Sequence, residues 1–326
     1  VSEATVSRVL NEDPRVKDET RQTVLAAARR LGREIVPDGG GTGSLPPMIG
    51  VLVPDMHNQI HAQWVERLEA ALFEHGFSTL IGVRARTAGR ELECLRRLSR
   101  AGAGGSIIVS GHHARQEGPV EHYREIVHAG VPLVLINGER QDLDAAFISS
   151  DEVHAIDLAS THLEALGHRR IGLAVGDERT WSVGTKVQAF ARRRREAGER
   201  EPNIAFTDFS HAGGYEAARA LVDKGVSAII CGSDAMAAGA IDGVRSLGST
   251  VPEDVSVIGH DDISWAGLTT PPLTTIRQSI PLMAQSAVRA LLGAGEGSRR
   301  PARTELLVQP ELILRGSTAA ARKRGS

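Results

Sequence analysis

The chain reads as an α/β protein of two doubly wound parallel-sheet lobes in series, preceded by a short, partial all-helical headpiece. Three observations predict this. From Met48 onward, apolar runs alternate with amphipathic stretches at helical spacing, the order of parallel strands joined by crossover helices. The alternation occurs twice, with a fresh start after Ser150. Ahead of Met48 the pattern is helical and then breaks into glycine and proline. At 326 residues the chain has room for a small headpiece and two medium lobes.

Val1–Asn11, VSEATVSRVLN, predicts a short amphipathic helix. Val6, Val9 and Leu10 form one apolar stripe, and Ser2 stands as the N-cap. The other side carries Glu3, Ala4, Thr5, Ser7, Arg8 and Asn11. Small residues, hydroxyls, an amide and one guanidinium are what a helix in a DNA major groove needs, although an ordinary capped surface helix has the same periodicity. Val16–Leu31 predicts a second helix, capped by Asp18 and ended by Gly32. Residues 1–32 are thus the headpiece. Residues 33–47, REIVPDGGGTGSLPP, are a flexible linker, because three consecutive glycines and a double proline hold no helix.

The two-lobed core spans 48–317. Its first set of strands is MIGVLV (48–53), TLIGV (79–83), SIIVS (106–110) and PLVLIN (132–137), with helices near 60–75, 89–101 and 120–129. The second set alternates helix 153–166, IGLAV (171–175), helix 184–197, IAFTDF (204–209), helix 212–224, AIIC (228–231), helix 235–247 and VSVIG (255–259). LTTIRQ (273–278), helix 281–292 and ELLVQPELILRG (305–316) cross back between the lobes, giving three connections and a hinge. Residues 318–326 are expected as a disordered basic tail.

Open parallel sheets bind ligands beyond the carboxyl ends of their strands. Polar and aromatic residues recur at those ends: Asp55 and Asn58, Ser110, Asn137, Asp177, Asp208 and Phe209, Ser233 and Asp234, Asp261 and Asp262. Each alone is an ordinary turn former or cap. Together, facing one cleft with Trp181 nearby, they suit a small polyhydroxy or heterocyclic ligand.

Other chemistry is not expected. No glycine-rich phosphate loop opens a helix, and no His-Glu-x-x-His occurs. His112–His113 reads as a surface loop and Arg192–Arg195 as a solvated helix end. Asp261–Asp262 reads as one ligand contact and one turn residue. No enzyme activity, cofactor or metal site is therefore expected. Cys94 and Cys231 lack metal spacing and fit a reducing cytoplasm. No apolar run of about twenty residues is present, and no leader opens the chain. The net charge is −2, so affinity for nucleic acid would come from charge placement and from dimerisation.

The phrases V-S-x-x-T-V-S-R-V-L-N and V-K-D-E-T-R-x-x-V-x-x-A-A-x-x-L-G resemble the headpiece of LacI/GalR-type transcriptional regulators. IGVLVPD, LGHRRIGL, DFSHAGGYEAARAL, GSDAMAAGA, VPEDVSVIGHDDI and TTPPLTTIRQ are similar to the effector core of the same family. The resemblance implies a periplasmic-binding-protein-like core of type I and a helix-turn-helix whose second helix is Val1–Asn11. The chain opens at Val1 without a preceding helix, so the headpiece is expected to be truncated. Glu3, Ala4 and Arg8 would face base edges, while Ser2, Thr5, Ser7 and Asn11 would hold phosphates. Phe209, Asp234 and Asp261 match effector contacts, and Asp151 matches the acidic residue near the lobe crossing. Departures are also plain. Asn58 is followed by Gln59, Ile60 and His61 in place of Pro-Phe-Phe. Lys186 stands for an arginine, and His260 stands for an aromatic residue. In the linker Asp38 stands for Asn, beside Pro37 and Leu45.

The expected function is a cytoplasmic, homodimeric regulator, a repressor, bound to a double-stranded DNA operator and controlled by a small molecule between its lobes. The expected effector contacts are Asn58, Ile60, Ser110, Asn137, Trp181, Lys186, Phe209, Asp234 and Asp261. Helices 60–75 and 281–292 are the expected dimer surface. The alternatives are a transporter's solute-binding protein and a sensor without DNA binding.

Overall fold

A computed structural model describes residues 9, 16–17, 20, 22–24, 47–83, 88–293 and 303–322. The chain divides into two compact units, Val1–Pro46 and Pro47–Ser326. In the first, the described Val9 and Val24 are buried, as apolar stripes of a helical unit should be. The expected DNA contacts Ser2, Glu3, Ala4, Thr5, Ser7, Arg8 and Asn11 lie outside the described residues, as does the linker up to Pro46.

The second unit runs β1 (Met48–Val53), α1 (Gln59–Phe73), β2 (Ser78–Val83), α2 (Ala88–Arg100), β3 (Ala103–Val109), α3 (Glu121–His128), β4 (Leu133–Ile136) and β5 (Ala146–Ser150). It continues with α4 (Glu152–Ala165), β6 (Ile171–Val175), α5 (Trp181–Glu196), β7 (Asn203–Phe206), α6 (His211–Asp223), β8 (Ala228–Cys231), α7 (Asp234–Ser246) and β9 (Ser256–Asp261). β10 (Thr274–Arg277), α8 (Ile280–Gly293), β11 (Thr304–Val308) and β12 (Glu311–Ile313) complete it. The described strands form two six-stranded sheets of matching order, β11-β5-β4-β3-β1-β2 and β12-β10-β9-β8-β6-β7. Every pairing is parallel except β10 with β12.

Both sheets are covered on both faces. In the first, Ile49, Val51 and Val53 face α1 and α8, while Leu52 faces the core under α2 and α3. That alternation is the two-residue period of a strand. Trp64 and Leu68 of α1 pack with Met283 and Ala287 of α8, so the apolar stripes of both helices serve their own lobe. Phe73 and Leu282 remain exposed on them. In the second lobe α6 and α7 approach closely enough that a Cβ at Gly239 would overlap the His211 carbonyl, and one at Gly214 would overlap Met236.

Three expectations are corrected. β5 was not anticipated: AFISS is fully buried between β4 and β11, and its five residues carry no amphipathic period. The tail is not loose through 322. Ser317 is buried, with its Oγ donating to the Val257 carbonyl at 2.6 Å and accepting the Thr274 N–H at 2.8 Å. The Ala319 N–H donates to Ser256 Oγ and the Ala321 N–H to the Leu166 carbonyl. Residues 323–326 lie outside the described residues. The run Arg192–Arg195 also differs from a solvated end, because Arg194 is buried and pairs with Glu164 and Glu199.

Three segments cross between the lobes: β5 into α4, β10 into α8, and β11 into β12. At the first, the Asp151 Oδ1 accepts the His154 N–H at 2.9 Å as the N-cap of α4, and the Asp151 N–H donates to Val308 in the neighbouring crossing. Because the α6–α7 contact has no room for a methyl group, Gly239→Ala should cost about 1–3 kcal/mol. Urea denaturation measures this, and an unchanged midpoint would refute the close packing.

Candidate functional site

Between the lobes lies a cleft of about 970 Å³, built where the strands end. β1 delivers Asp55 and Asn58, β3 delivers Ser110, and β4 delivers Asn137. β9 delivers His260 and Asp261, and β10 delivers Gln278. Ser110, Asn137, Asp261 and Asp262 all have positive φ, at 47°, 64°, 115° and 54°. Non-glycine residues rarely adopt this conformation, which costs about 1–3 kcal/mol each and clusters at working sites. Here it turns each strand end sharply, and three of the four line the cleft.

Seven of the nine expected contacts line the cavity: Asn58, Ile60, Ser110, Asn137, Lys186, Phe209 and Asp261. Asn58 caps α1 by accepting the Ile60 N–H, which brings buried Ile60 to the wall. The Asn137 amide donates to Ser110 Oγ at 3.3 Å, and its Oδ1 is buried without a protein partner. The Phe209 ring lies against Gly176, where a Cβ would come within 2.5 Å of it, and against Gly232.

Trp181 and Asp234 are not among the lining residues. Trp181 opens α5, while its neighbours Thr180 and Ser182 reach the cleft. Asp234 is turned inward and braces the end of β9. Its Oδ2 accepts the Ile263 N–H at 2.9 Å, and its Oδ1 accepts the Thr275 hydroxyl at 2.5 Å. The adjacent Ser233 and Ala235 line the cavity instead.

Sequence reasoning missed Glu152, Gln278 and Arg115, while His260, which stands for an aromatic residue, also lines the cleft. Glu152 Oε2 lies 2.5 Å from Lys186 Nζ and 3.7 Å from His260 Nε2, with all three side chains buried. Burial pushes the Glu152 pKa up, opposed by Lys186. Burial, and then Lys186, hold His260 well below its ordinary value, so this imidazole is neutral. Burial and then Asp234 raise Asp261 well above the carboxylate range. The Asp261 Oδ1 accepts the Gln278 amide at 2.7 Å, leaving Gln278 Oε1 buried without a protein partner. Asp262, by contrast, pairs with Arg277 and Arg315 at 2.7 and 2.6 Å.

The mouth is tied across as well. Arg115, from the first lobe, donates to Asp177 Oδ2 at 2.7 Å, and the Gln116 N–H donates to the Arg179 carbonyl at 3.0 Å. Hydrogen bonding from Arg179 holds Asp177 far below its ordinary pKa. Gln59 Nε2 donates to Ser264 Oγ at 2.8 Å, a second tie between the lobes. The loop bearing Arg115 corrects one expectation. His112 and His113 are buried, with their N–H groups bonded to Glu91 and to the Tyr123 hydroxyl. Among the described residues no group of three or more His, Cys, Asp or Glu could hold a metal, and no helix is long and apolar enough to cross a membrane.

Residues 1–32 match the family described as bacterial regulatory proteins, lacI family, and residues 160–318 match a periplasmic binding protein-like domain. The chain is 40% identical to the HTH-type transcriptional regulator reg1 of Streptomyces lividans, over 98% of this chain and 94% of that protein. It is similar to two solved regulator structures, of which the first is a lac repressor dimer bound to operator and an anti-inducer, with a TM-score of 0.77 at 25% identity over 98% of this chain and 96% of that one. The second is a transcriptional regulator CelR–cellobiose complex, with a TM-score of 0.73 at 26% identity over 97% and 96%.

The buried Asp234 gives a pH test. Burial raises its pKa from 3.8 to about 7, so the unfolded chain gives up this proton first. The contribution of Asp234 to stability is present below about pH 4 and is lost as pH rises toward 7. Asp234→Asn, which does not titrate, should gain on the wild type across that window and level off above it. Denaturant midpoints measured in steps from pH 4 to about pH 8 would check this. A constant difference would show that Asp234 ionises freely in the folded chain.

Proposed function

The chain belongs to the lacI family of bacterial regulatory proteins, and we propose that it is a cytoplasmic, dimeric repressor whose hold on a DNA operator is set by a small polar molecule in the cleft. One observation carries the ligand reading: buried polar atoms without a protein partner, Asn137 Oδ1 and Gln278 Oε1, both belong to residues lining a cavity between two lobes. An unmet buried polar atom costs about 1–3 kcal/mol, and a hydroxyl-bearing ligand recovers it. The effector contacts are Asn58, Ile60, Ser110, Asn137, Lys186, Phe209 and Asp261, joined by Glu152, His260 and Gln278. Asp234 acts behind them, by holding the end of β9.

Ligand in this cleft touches both lobes and shifts their equilibrium by its differential affinity for the two arrangements. In a dimer that shift changes the spacing of two headpieces, and two half-sites supply the affinity that one lacks. Exposed Phe73, Ile81, Val83 and Leu282 lie on elements of the first lobe and offer apolar surface for a second copy. On the headpiece, Glu3, Ala4 and Arg8 read bases, and Ser2, Thr5, Ser7 and Asn11 hold phosphates. The lacI-family match at residues 1–32 favours this over a transporter's solute-binding protein.

Selection of random duplexes by the chain should enrich a pseudo-palindrome, with affinity that falls steeply as salt rises. Arg8→Ala should weaken binding to that site by about tenfold or more while sparing non-specific DNA. Enrichment of no sequence would reject the repressor reading. Equal loss on both kinds of DNA would reject Arg8 as a base reader.

A further inference from the structure

Accepting the cleft as the effector site, the chemistry of its charges narrows the ligand. Among the described residues that line it, the carboxylates are Asp55, Glu152, Asp177 and Asp261, and the Lys and Arg cations are Arg115 and Lys186 alone. Neither cation is free. Arg115 is tied to Asp177 at the mouth. Lys186, the only one of the two on the inner wall, is tied to Glu152 at 2.5 Å, a charge-assisted contact between two groups about 95% buried. A buried lysine in this setting would otherwise be the natural seat for a phosphate or carboxylate. Apart from His260 Nε2, which faces Glu152 at 3.7 Å, and Gln59 Oε1, whose amide nitrogen is held by Ser264, two further unpartnered atoms, Asn137 Oδ1 and Gln278 Oε1, are acceptors. They attract hydroxyl donors and repel an anion. Each amide is oriented by what its nitrogen holds, Ser110 in one case and Asp261 in the other. Phe209 and Trp265 supply apolar surface for a ring.

We infer that Glu152 is the specificity-determining residue of the cleft: by occupying Lys186 it excludes anionic ligands and confines the effector to uncharged polyhydroxy molecules. Introducing an anion would place it beside Glu152 with no available cation. In a low-dielectric site that repulsion is not screened. Removing the carboxylate inverts the filter, because Lys186 then faces the cavity unpaired and an anion becomes its best partner.

The test is calorimetric titration of the full chain at pH 7.5 with glucose, cellobiose, glucose 6-phosphate and inorganic phosphate. The wild type should bind neither phosphate compound. Glu152→Gln should gain affinity for glucose 6-phosphate by about tenfold or more, and Glu152→Gln with Lys186→Gln should lose that gain. Tight binding of glucose 6-phosphate to the wild type, abolished by Lys186→Gln, would overturn the filter. So would a folded Glu152→Gln protein without the gain. The wild-type measurement decides even if that variant fails to fold. Anion gain in Glu152→Gln with neither neutral sugar bound by the wild type would support the filter while counting against these sugars as effectors.

Discussion

The carboxyl ends of two parallel sheets meet across one cleft, and most of this structure follows from that constraint. A parallel strand cannot turn back tightly into its neighbour, so most strands hand the chain to a helix on a face of the sheet, while β4–β5 and β9–β10 are joined by longer loops. The loops at the strand ends are therefore where polar side chains collect. With three segments crossing from one sheet to the other, the two sets of ends are brought together. The strand termini turn abruptly there, and all four described non-glycine residues with positive φ sit at such ends. Local backbone cost is thus concentrated at the cleft, while the sheets beneath it are apolar and closely packed.

The charges of the cleft are arranged in two layers. Lys186, Glu152, His260 and Asp261 meet the cavity, and Asp234 stands behind them against Thr275 and the Ile263 amide. Both buried aspartates are pushed toward the neutral acid by burial, which removes much of their mutual repulsion. A neutral carboxylic acid can donate as well as accept, so Asp261 can answer either end of a hydroxyl. The lobes are not held by their crossings alone. The Arg115–Asp177 pair and the Gln59–Ser264 bond span the gap. Each is partly exposed and therefore weak.

Much of the fold was legible in the sequence, and the reason is periodicity. Strands such as MIGVLV and AIIC and helices such as Gln59–Phe73 have patterns that match their burial. AFISS escaped because a fully buried five-residue strand has no alternation to see. The docked end of the chain escaped because Ser317, Ala319 and Ala321 bind through one hydroxyl and backbone groups, which composition does not report. Strand-end reasoning and the family resemblance together brought seven of nine expected contacts to the wall. It failed at Asp234 because sequence shows that a strand has ended but not which of two adjacent polar residues turns outward. Ser233 caps the helix and lines the cavity, and Asp234 turns in toward Gly259, where a Cβ would overlap its carboxylate. That glycine is the one sequence signal that favoured the inward position.

Lys186 shows a different limit. Its presence in the cleft was legible, and taken alone it argues for an anionic ligand. Its partner Glu152 is 34 positions earlier in the chain, just beyond a cap that reads as an ordinary helix start. Only the packing of α4 against α5 brings the two together. A charge in a binding site therefore has no fixed meaning until its neighbours are known. The same ammonium that would seat a phosphate becomes, beside Glu152, half of a neutral pair, and the ligand chemistry of the cleft passes from charge to hydroxyl recognition.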